Sequence, residues 1–493
     1  MRRFRSLTLV SLCLIAAVPA LAHAKHKPAK LAQAAPVASA AAEPVPEHPS
    51  LTLDEALAIA YETNPQLAAA QTGLRATDEQ VAQANGAWRP SVSVGATYGV
   101  SKYFFPAIPI DPSGTVSSVT DHPLNGQAVI TQPIFRSGRT VAEISRAKAL
   151  VRAGRAELTA TEQTVILTAA TAYMNVVRDT AIVDLRQHNV EVLKRQRDST
   201  QLEFKAGSLT RTDVAQSDAR LATARSDLTT AQGQLATSRA DFVQAIGRQA
   251  ETLQSDPGLP KLPATSDDVL GLALRQNPAL VSAQANERAA GYAVDDAWGA
   301  LGPTFSIQGE YQYSQSALNS VQGFGANGPP ESQTNHALTV VGQLNVPIYQ
   351  AGVEEATVRQ ARELHAQTQL NVAAADRQVR DAVEAAWSAF QSALGTIDSN
   401  RATEKADEIA FEGVSKEQQV GGRTVLDVLN AEQELLNAQV ALVSSQRNAV
   451  VAAYQVLAAG GALTAKGLGL KVKLYDPLEH YNDDAGAWVG FGD

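Results

Sequence analysis

Residues 90–100 read Pro-Ser-Val-Ser-Val-Gly-Ala-Thr-Tyr-Gly-Val, and residues 303–313 read Pro-Thr-Phe-Ser-Ile-Gln-Gly-Glu-Tyr-Gln-Tyr. In both stretches small or polar residues alternate with apolar ones. Because successive side chains of a strand point to opposite faces, this alternation predicts strands with one apolar and one polar face. Returning strands are predicted near 127–134 and 338–348, after loops at 102–124 and 315–334. The sequence thus predicts four strands of about ten residues, a length that suits a tilted strand crossing a bilayer.

The two stretches belong to an internal repeat. Two pairs recur at an offset of 303-90=213, namely Asn64-Pro65 with Asn277-Pro278 and Pro90 with Pro303. Later pairs recur at an offset of 347-133=214: Pro133-Ile134-Phe135-x-x-Gly138 with Pro347-Ile348-Tyr349-x-x-Gly352, Gly207 with Gly421, and Asp213-Val214 with Asp427-Val428. Such self-similarity predicts two structurally equivalent halves, residues 51–264 and 265–462. The tail, residues 463–493, is rich in glycine and acidic residues, and no fold can be predicted for it.

Long helices follow each predicted strand pair. Each half opens with a helical segment, 53–86 or 266–299, and the strands lead into helical stretches at 139–205 and 353–417. A second helix begins after Gly207 or Gly421. Its apolar residues recur at seven-residue intervals, as in Val214, Leu221, Leu228, Leu235 and Phe242. About 65 residues at about 1.5 Å per residue span on the order of 100 Å, so these helices are too long for a globular core.

The N-terminus has the features of an export signal. Arginines precede an apolar run over 7–18, and Ala22-His23-Ala24 supplies a small-x-small cleavage pattern. Residues 1–24 are therefore predicted to be a signal peptide, and the low-complexity residues 25–50 a disordered lead-in. The only cysteine, Cys13, would be removed with the signal, so disulfides and cysteine metal sites are excluded.

Composition argues against several functional classes. The net charge of -9 becomes -12 without the three signal arginines, so the chain is a poor partner for nucleic acid. The histidines are scattered without metal-ligand spacing, and the chain has no phosphate-binding glycine loop. These absences predict a protein that is not an enzyme, has no cofactor, and depends on a partner for energy.

Four amphipathic strands leave two open edges, and an edge facing lipid leaves backbone groups unpaired at several kcal/mol each. A membrane sheet of this kind must be closed by further copies of itself. Three copies would give twelve strands, an even number that fits an outer-membrane barrel. Composition does not choose three over two or four, and a soluble antiparallel sheet packed on helices is the structural alternative.

Three motifs resemble the TolC-like outer-membrane factors: Leu51-Thr52-Leu53-Asp54-Glu55-Ala56-Leu57 with Asn64-Pro65, the two Pro-Ile-aromatic-x-x-Gly strand exits, and residues 421–430, Gly-Gly-Arg-Thr-Val-Leu-Asp-Val-Leu-Asn. The resemblance covers residues 51–460 in order. It implies a mixed α/β membrane protein, a homotrimer with one shared twelve-stranded barrel in outer-membrane lipid and a coiled-coil helical barrel across the periplasm. The implied partners are a periplasmic adaptor (membrane fusion) protein and an inner-membrane transporter, ABC or proton-driven.

The resemblance also implies a gate that closes the periplasmic tip at rest. Arg423 would take the role of the family's linking arginine, and Asp427 that of the first acidic residue of an anionic ring. The second acidic position is Asn430 here, Thr212 and Asp213 match the facing partners, and Gln418 replaces the tip tyrosine. Threefold symmetry would bring three Asp427 carboxylates together, which should favour cations and raise their proton affinity.

The same residues have structural explanations. Thr424-x-x-Asp427 and Thr210-x-x-Asp213 both fit helix capping boxes, and Arg423 could be a solvated turn residue. Either ordinary packing or interfacial girdles could account for the aromatic residues of the strands, Trp88, Tyr98, Tyr103, Phe104, Phe105, Tyr311 and Tyr313. The leading functional hypothesis is a passive outer-membrane exit duct for efflux or type I secretion, and the alternative is a periplasmic coiled-coil adaptor or scaffold that never enters a membrane.

Overall fold

A computed structural model describes residues 50–111, 114–317, 332–486 and 488. The predicted signal peptide, the lead-in except Ser50, and the centre of the second loop lie outside these residues. The described helices are α1 Leu53–Thr63, α2 Pro65–Gly86, α3 Arg139–Lys205, α4 Arg211–Ile246, α5 Ser266–Gln276, α6 Pro278–Ala300, α7 Val353–Gln419, α8 Val425–Ala459, α9 Ala465–Leu468 and α10 Glu479–Asp484. The described strands are β1 Ser91–Tyr98, β2 Ser101–Asp111, β3 Gly114–Asp121, β4 Leu124–Phe135, β5 Thr304–Ala317 and β6 Ser332–Asn345.

The opening helical segment of each half is two helices, so the prediction of single helices over 53–86 and 266–299 was wrong. The break falls at Asn64 and at Asn277, each followed by proline. Asn64 is extended (φ -71°, ψ 120°), as a residue before proline prefers, and its side chain accepts hydrogen bonds from Gln66 and Leu67. Proline then occupies the first turn of the next helix, where an N–H is not needed.

Four strands form one antiparallel sheet in the order β1-β4-β5-β6, with β1 and β6 at its edges. The predicted return strands are therefore present. The prediction of a loop over 102–124 was wrong, because β2 and β3 form a hairpin there. Ser91 pairs with Thr131 and Ser101 with Asp121, and in both pairs the residue numbers sum to 222. The hairpin keeps this register as far as Phe104 with Ser118, beyond which it shifts. The hairpin thus continues the β1–β4 ladder. Its backbone hydrogen bonds stabilise strands in residues 102–124, although the composition of these residues is that of a loop.

The long helices agree closely with prediction. Helix α3 begins and ends at the predicted residues, and α7 extends two residues beyond 417; each has 67 residues. Each turns back through a glycine with positive φ, Gly207 (82°) or Gly421 (80°). Beyond that glycine, the N–H of Ser208 or Gly422 bonds to a carbonyl five residues earlier, which is the Schellman ending of a helix. Helices α4 and α8 then pack back along α3 and α7.

The largest described core lies midway along the long helices. Tyr173 of α3 and Phe242 of α4 are fully buried there, with α1 and the C-terminal part of α8 packed around them. The single hydroxyl proton of Tyr173 is shared between two backbone acceptors, the Leu51 carbonyl at 2.7 Å and the Gln254 carbonyl at 3.0 Å. A second core joins α5, α7 and α8. The short helices α1 and α5 therefore pack on the long helices of their own halves, and α3 joins the halves through its contacts with α6 and α8.

The C-terminal tail, whose fold could not be predicted, packs on the first half. The backbone N–H of Ala465 donates to Glu162 Oε1 at 2.7 Å, and that of Tyr475 to the Tyr61 hydroxyl at 3.2 Å. Helix α10 packs against α2. The tail is thus part of the same folded body as α1, α2 and α3.

Candidate functional site

The first functional surface is the apolar face of the four-stranded sheet. Cross-strand partners share a face, and the register places Val94 opposite Ala128, Ala128 opposite Tyr311, and Tyr311 opposite Leu338. The largest apolar side chains of this face are strongly exposed, as for Val94 (80%) and Leu338 (78%). Exposed contiguous apolar surface of this size marks a membrane or protein contact.

The opposite face is polar, with Ser93, Thr97, Gln127, Gln308 and Gln343 among its residues. The sheet therefore has one face suited to lipid and one suited to water. Among the described strands, β1 and β6 are the edges of the sheet, each with one side unpaired. A sheet with this pattern needs further strands before it can face lipid on its apolar side.

The predicted aromatic residues border this sheet. Trp88, Tyr98, Phe104 and Tyr311 are 46%, 70%, 74% and 45% exposed, and Tyr313 is half-buried against the His336 ring, with 5.3 Å between centroids. The side chains of Tyr103 and Phe105 lie outside the described part of the structure. Exposure of four of these residues agrees with a girdle position, which remains a prediction.

The second functional surface is the turn between α7 and α8. Arg423 Nε donates to Glu417 Oε2 at 2.9 Å across the Gly421-Gly422 bend, and both side chains are more than half exposed. An exposed ion pair of this kind contributes about 0–1 kcal/mol. The Gln418 carbonyl accepts the Gly421 N–H at 2.9 Å, so its backbone forms part of the same bend. Arg423 is therefore held by a partner that the sequence analysis missed, six residues earlier in the chain.

Thr424 and Asp427 form the predicted capping box at the start of α8, with Thr424 as the cap. Asp427 Oδ2 accepts from the Thr424 backbone N–H at 3.0 Å and from the Thr424 hydroxyl at 2.8 Å, while its own N–H donates back to that hydroxyl. The backbone and side-chain hydrogen bonds from Thr424 lower the pKa of Asp427. In the single chain these hydrogen bonds therefore favour the ionised carboxylate. A threefold ring of such carboxylates would have the opposite effect on the pKa, and that ring remains a prediction.

The equivalent turn between α3 and α4 has the same construction. Thr210 and Asp213 form the predicted capping box, and hydrogen bonds from the side chain and backbone of Thr210 lower the pKa of Asp213. Thr212 is exposed in the first turn of α4. In the described chain no hydrogen bond or ion pair joins Thr212 or Asp213 to Arg423 or Asp427. A direct link between these predicted gate residues stays a prediction.

A different pair joins α4 to α8 beyond the turns. Arg220 Nη2 on α4 donates to Asn430 Oδ1 on α8 at 2.9 Å. Asn430, predicted as the altered second position of the gate, therefore acts as an acceptor for an arginine of the other half. Sequence reasoning missed the partly buried Arg220, because nothing in its local sequence distinguishes it from the exposed arginines of α4.

A buried carboxylate lies half a turn farther along α8. Glu432 is 6% exposed, and its Oε1 accepts from Asn189 Nδ2 of α3 at 2.8 Å. Burial raises the pKa of Glu432 from 4.5 to about 7, with Asn189 and Arg195 acting in the opposite direction. This residue was also missed, because its position in the α8 sequence resembles that of any solvated helix glutamate.

The described residues contain no group of three or more His, Asp or Glu side chains arranged to hold a metal ion. None of the helices in the described ranges combines the length and apolar character needed to cross a bilayer.

The sheet has one apolar face and open edges, and it continues into paired helices on the order of 100 Å long. This combination is typical of channel-forming transport proteins. The sequence profile of the family described as "Outer membrane efflux protein" matches residues 56–248 and 269–462. The chain belongs to this family, whose members are transport ducts of the outer membrane and not enzymes.

Named relatives agree with this assignment. The outer membrane efflux protein BepC of Brucella suis biovar 1 (strain 1330) is 33% identical over 441 residues, covering 90% of this chain and 92% of BepC. The outer membrane protein TolC of Escherichia coli (strain K12) is 26% identical over 412 residues, covering 82% and 81%. The fold is similar to that of the Campylobacter jejuni outer membrane channel CmeC, with a TM-score of 0.71 and 17% identity over 88% of this chain and 89% of CmeC.

Proposed function

We propose that three copies of this chain form a passive exit duct in the outer membrane. Four strands from each copy close a twelve-stranded barrel, and the helix pairs continue it as a tunnel across the periplasm. The turns at Gly207 and Gly421 narrow the periplasmic tip at rest. The duct receives cargo from an inner-membrane transporter, ABC or proton-driven, joined through a periplasmic adaptor, in a tripartite efflux or type I secretion system.

The observation that carries this proposal is the four-stranded sheet with one apolar face and two open edges. Lipid can satisfy the apolar side chains but not the edge backbone groups. Closure by further copies removes both edges, and twelve strands suit an outer-membrane barrel. Family membership supports the same conclusion, since BepC and TolC are outer membrane proteins.

The alternative, a periplasmic coiled-coil adaptor, leaves the exposed apolar sheet without a role. It predicts a protein that is extracted without detergent and does not conduct ions. The exit duct predicts sedimentation with outer membranes, an oligomer that dissociates on heating, and channels in planar bilayers.

The decisive experiment compares two substitutions on opposite faces of β6. Val340→Arg places a charge on the apolar face, which costs about 2–4 kcal/mol at the bilayer midplane. Gln343→Arg places the same charge on the polar face. We expect Val340→Arg to reduce membrane insertion and channel formation, whereas Gln343→Arg keeps both. A wild-type protein that purifies as a water-soluble monomer without affinity for bilayers would overturn the proposal.

A further inference from the structure

The four-stranded sheet contains a single charged residue, although charged residues make up 18% of the whole chain. Strands β1, β4, β5 and β6 have no Asp, Lys or Arg, and their one Glu is Glu310 of β5. Glu310 lies near the middle of its strand, since Thr304 begins β5 and Ala317 ends it. The charge pattern of the sheet therefore depends on this one carboxylate.

Glu310 lies on the polar face of the sheet. The register places it opposite Val129 of β4 and Thr339 of β6. Because side chains alternate along a strand, Glu310 shares its face with Gln312, while Tyr311 belongs to the apolar face. The proposed duct has lipid at the apolar face, so the polar face lines the lumen. In that duct Glu310 points into the water inside the barrel.

No cation neutralises Glu310 within the described residues of one chain, where none of the ion pairs includes it. Its cross-strand and diagonal neighbours on the polar face are uncharged, namely Val129, Gln127, Thr131, Thr339, Ala337 and Val341. An opposite charge on a neighbouring strand would stabilise the sheet, but Glu310 has no such partner there. Its negative charge therefore contributes to the electrostatic potential on this side of the sheet.

The internal repeat does not duplicate this charge. The residue equivalent to Glu310 in the first half is Thr97, at an offset of 310-97=213. The sheet of each chain thus contributes one carboxylate. We infer that, in the proposed trimeric duct on which this inference rests, three Glu310 carboxylates form a ring in the barrel lumen and favour cations over anions there.

The width of a twelve-stranded barrel sets how far this ring acts. Strands about 4.8 Å apart and tilted by about 40° close with a backbone radius of roughly 12 Å. Carboxylates that point inward then lie within about 10 Å of the axis, which is about one Debye length at 0.1 M salt. At 1 M salt the Debye length is about 3 Å, so salt screens the ring from most of the lumen. The cation preference should therefore be strong in dilute salt and weak in concentrated salt.

The ring acts separately from the predicted carboxylates of the periplasmic tip. Helix α7 has 67 residues and lies between β6 and the turn that precedes Asp427. At about 1.5 Å per residue, this helix separates Glu310 from Asp427 by on the order of 100 Å. Charges so many Debye lengths apart do not influence each other. The barrel therefore has its own selectivity, in series with any selectivity of the tip.

Reversal potentials of single channels in a KCl gradient test the ring. Glu310→Gln removes the charge and keeps the size of the side chain. We expect the ratio of K⁺ to Cl⁻ permeability to fall about threefold at 0.1 M salt and to change little at 1 M. The substitution is made in the wild type and in Asp427→Ala, so that tip carboxylates do not hide the effect. Asp267→Asn removes an exposed carboxylate of α5 and is the control, which should leave the ratio unchanged.

A double substitution separates an electrostatic role of Glu310 from a structural one. Glu310→Gln with Gln312→Glu moves the carboxylate two residues along the same face, to a position opposite Gln127 and Ala337. Because the ring acts through its charge and not through a specific contact, we expect this variant to regain the wild-type permeability ratio. A loss of selectivity that the moved carboxylate does not restore would overturn the ring.

The same recordings distinguish the ring from the duct. Channels whose permeability ratio at 0.1 M salt is unaffected by Glu310→Gln in both backgrounds would overturn the ring, although the duct would stand. Failure of the wild-type protein to form channels would overturn both.

Discussion

Asn189 of α3 donates a 2.8 Å hydrogen bond to Glu432 of α8, so a buried contact links the helix pair of the first half to that of the second. The contact lies beside the apolar cluster of Leu193, Leu221, Val425 and Leu429 near the helix turns. A carboxylate in this position is stable when protonated, because burial disfavours its charge. The stability of the contact between the two halves should therefore depend on pH.

We expect Glu432→Gln to remove part of that dependence. The pKa of Glu432 is raised from 4.5 to about 7, so its contribution to stability is full below pH 4.5 and is lost as pH rises through 7. The shift corresponds to about 2.5 kcal/mol per protomer between pH 5 and pH 8. Urea unfolding followed by circular dichroism should show a smaller difference between these pH values for the variant. Glu434→Gln, an exposed change on the same helix, is the control. Equal pH dependence in wild type and Glu432→Gln would contradict the assignment.

Arg423→Ala should increase single-channel conductance if the α7–α8 turn narrows the pore. The substitution removes the 2.9 Å contact with Glu417 that holds the turn. Because both side chains are exposed, little stability should be lost. Arg380→Ala is the matched control, since it removes another exposed arginine pair on α7, with Asp376 at 2.8 Å. The same conductance in wild type and Arg423→Ala would rule out a gate role.

Asp427→Ala should weaken cation selectivity and increase conductance if three of these carboxylates line the pore. The change also removes a capping interaction, at about 1 kcal/mol of helix stability. Asp268→Ala removes the same type of capping box from α5 and separates the two effects. Reversal potentials in a salt gradient measure the selectivity. If both variants retain wild-type selectivity, Asp427 is a capping residue and has no pore function.

Gly299→Ala should destabilise the junction between sheet and helices. A Cβ at this position would lie 2.5 Å from Arg139 Cγ and 2.9 Å from the Ser137 carbonyl. Overpacking of this kind costs about 1–3 kcal/mol. Gly291→Ala on the same helix meets nothing closer than 3.6 Å, and replacing a helical glycine should stabilise by about 0.5–1 kcal/mol. Thermal unfolding should therefore move the two variants in opposite directions; a Gly299→Ala protein as stable as wild type would contradict the close approach.

Local patterns predicted most of the elements. Period-2 alternation identified the strands of the main sheet, and heptad spacing with Gly207 and Gly421 identified the long helices and their turns. The β2–β3 hairpin was missed, because its composition is that of a loop and only the ladder begun by β1 and β4 favours strands there. The breaks at Asn64 and Asn277 were missed although Asn-Pro is a local signal of a helix start.

The sequence by itself determined the helix and strand periodicities, the repeat offsets of 213 and 214, and the capping boxes at Asp213 and Asp427. Each of these depends on residues close together in the chain or on direct self-comparison. Only the tertiary structure decided that Arg220 reaches Asn430, that Asn189 meets a buried Glu432, and that the tail covers the first half. These contacts join residues more than 200 positions apart, and burial and partner choice at such distances arise only when the helices pack.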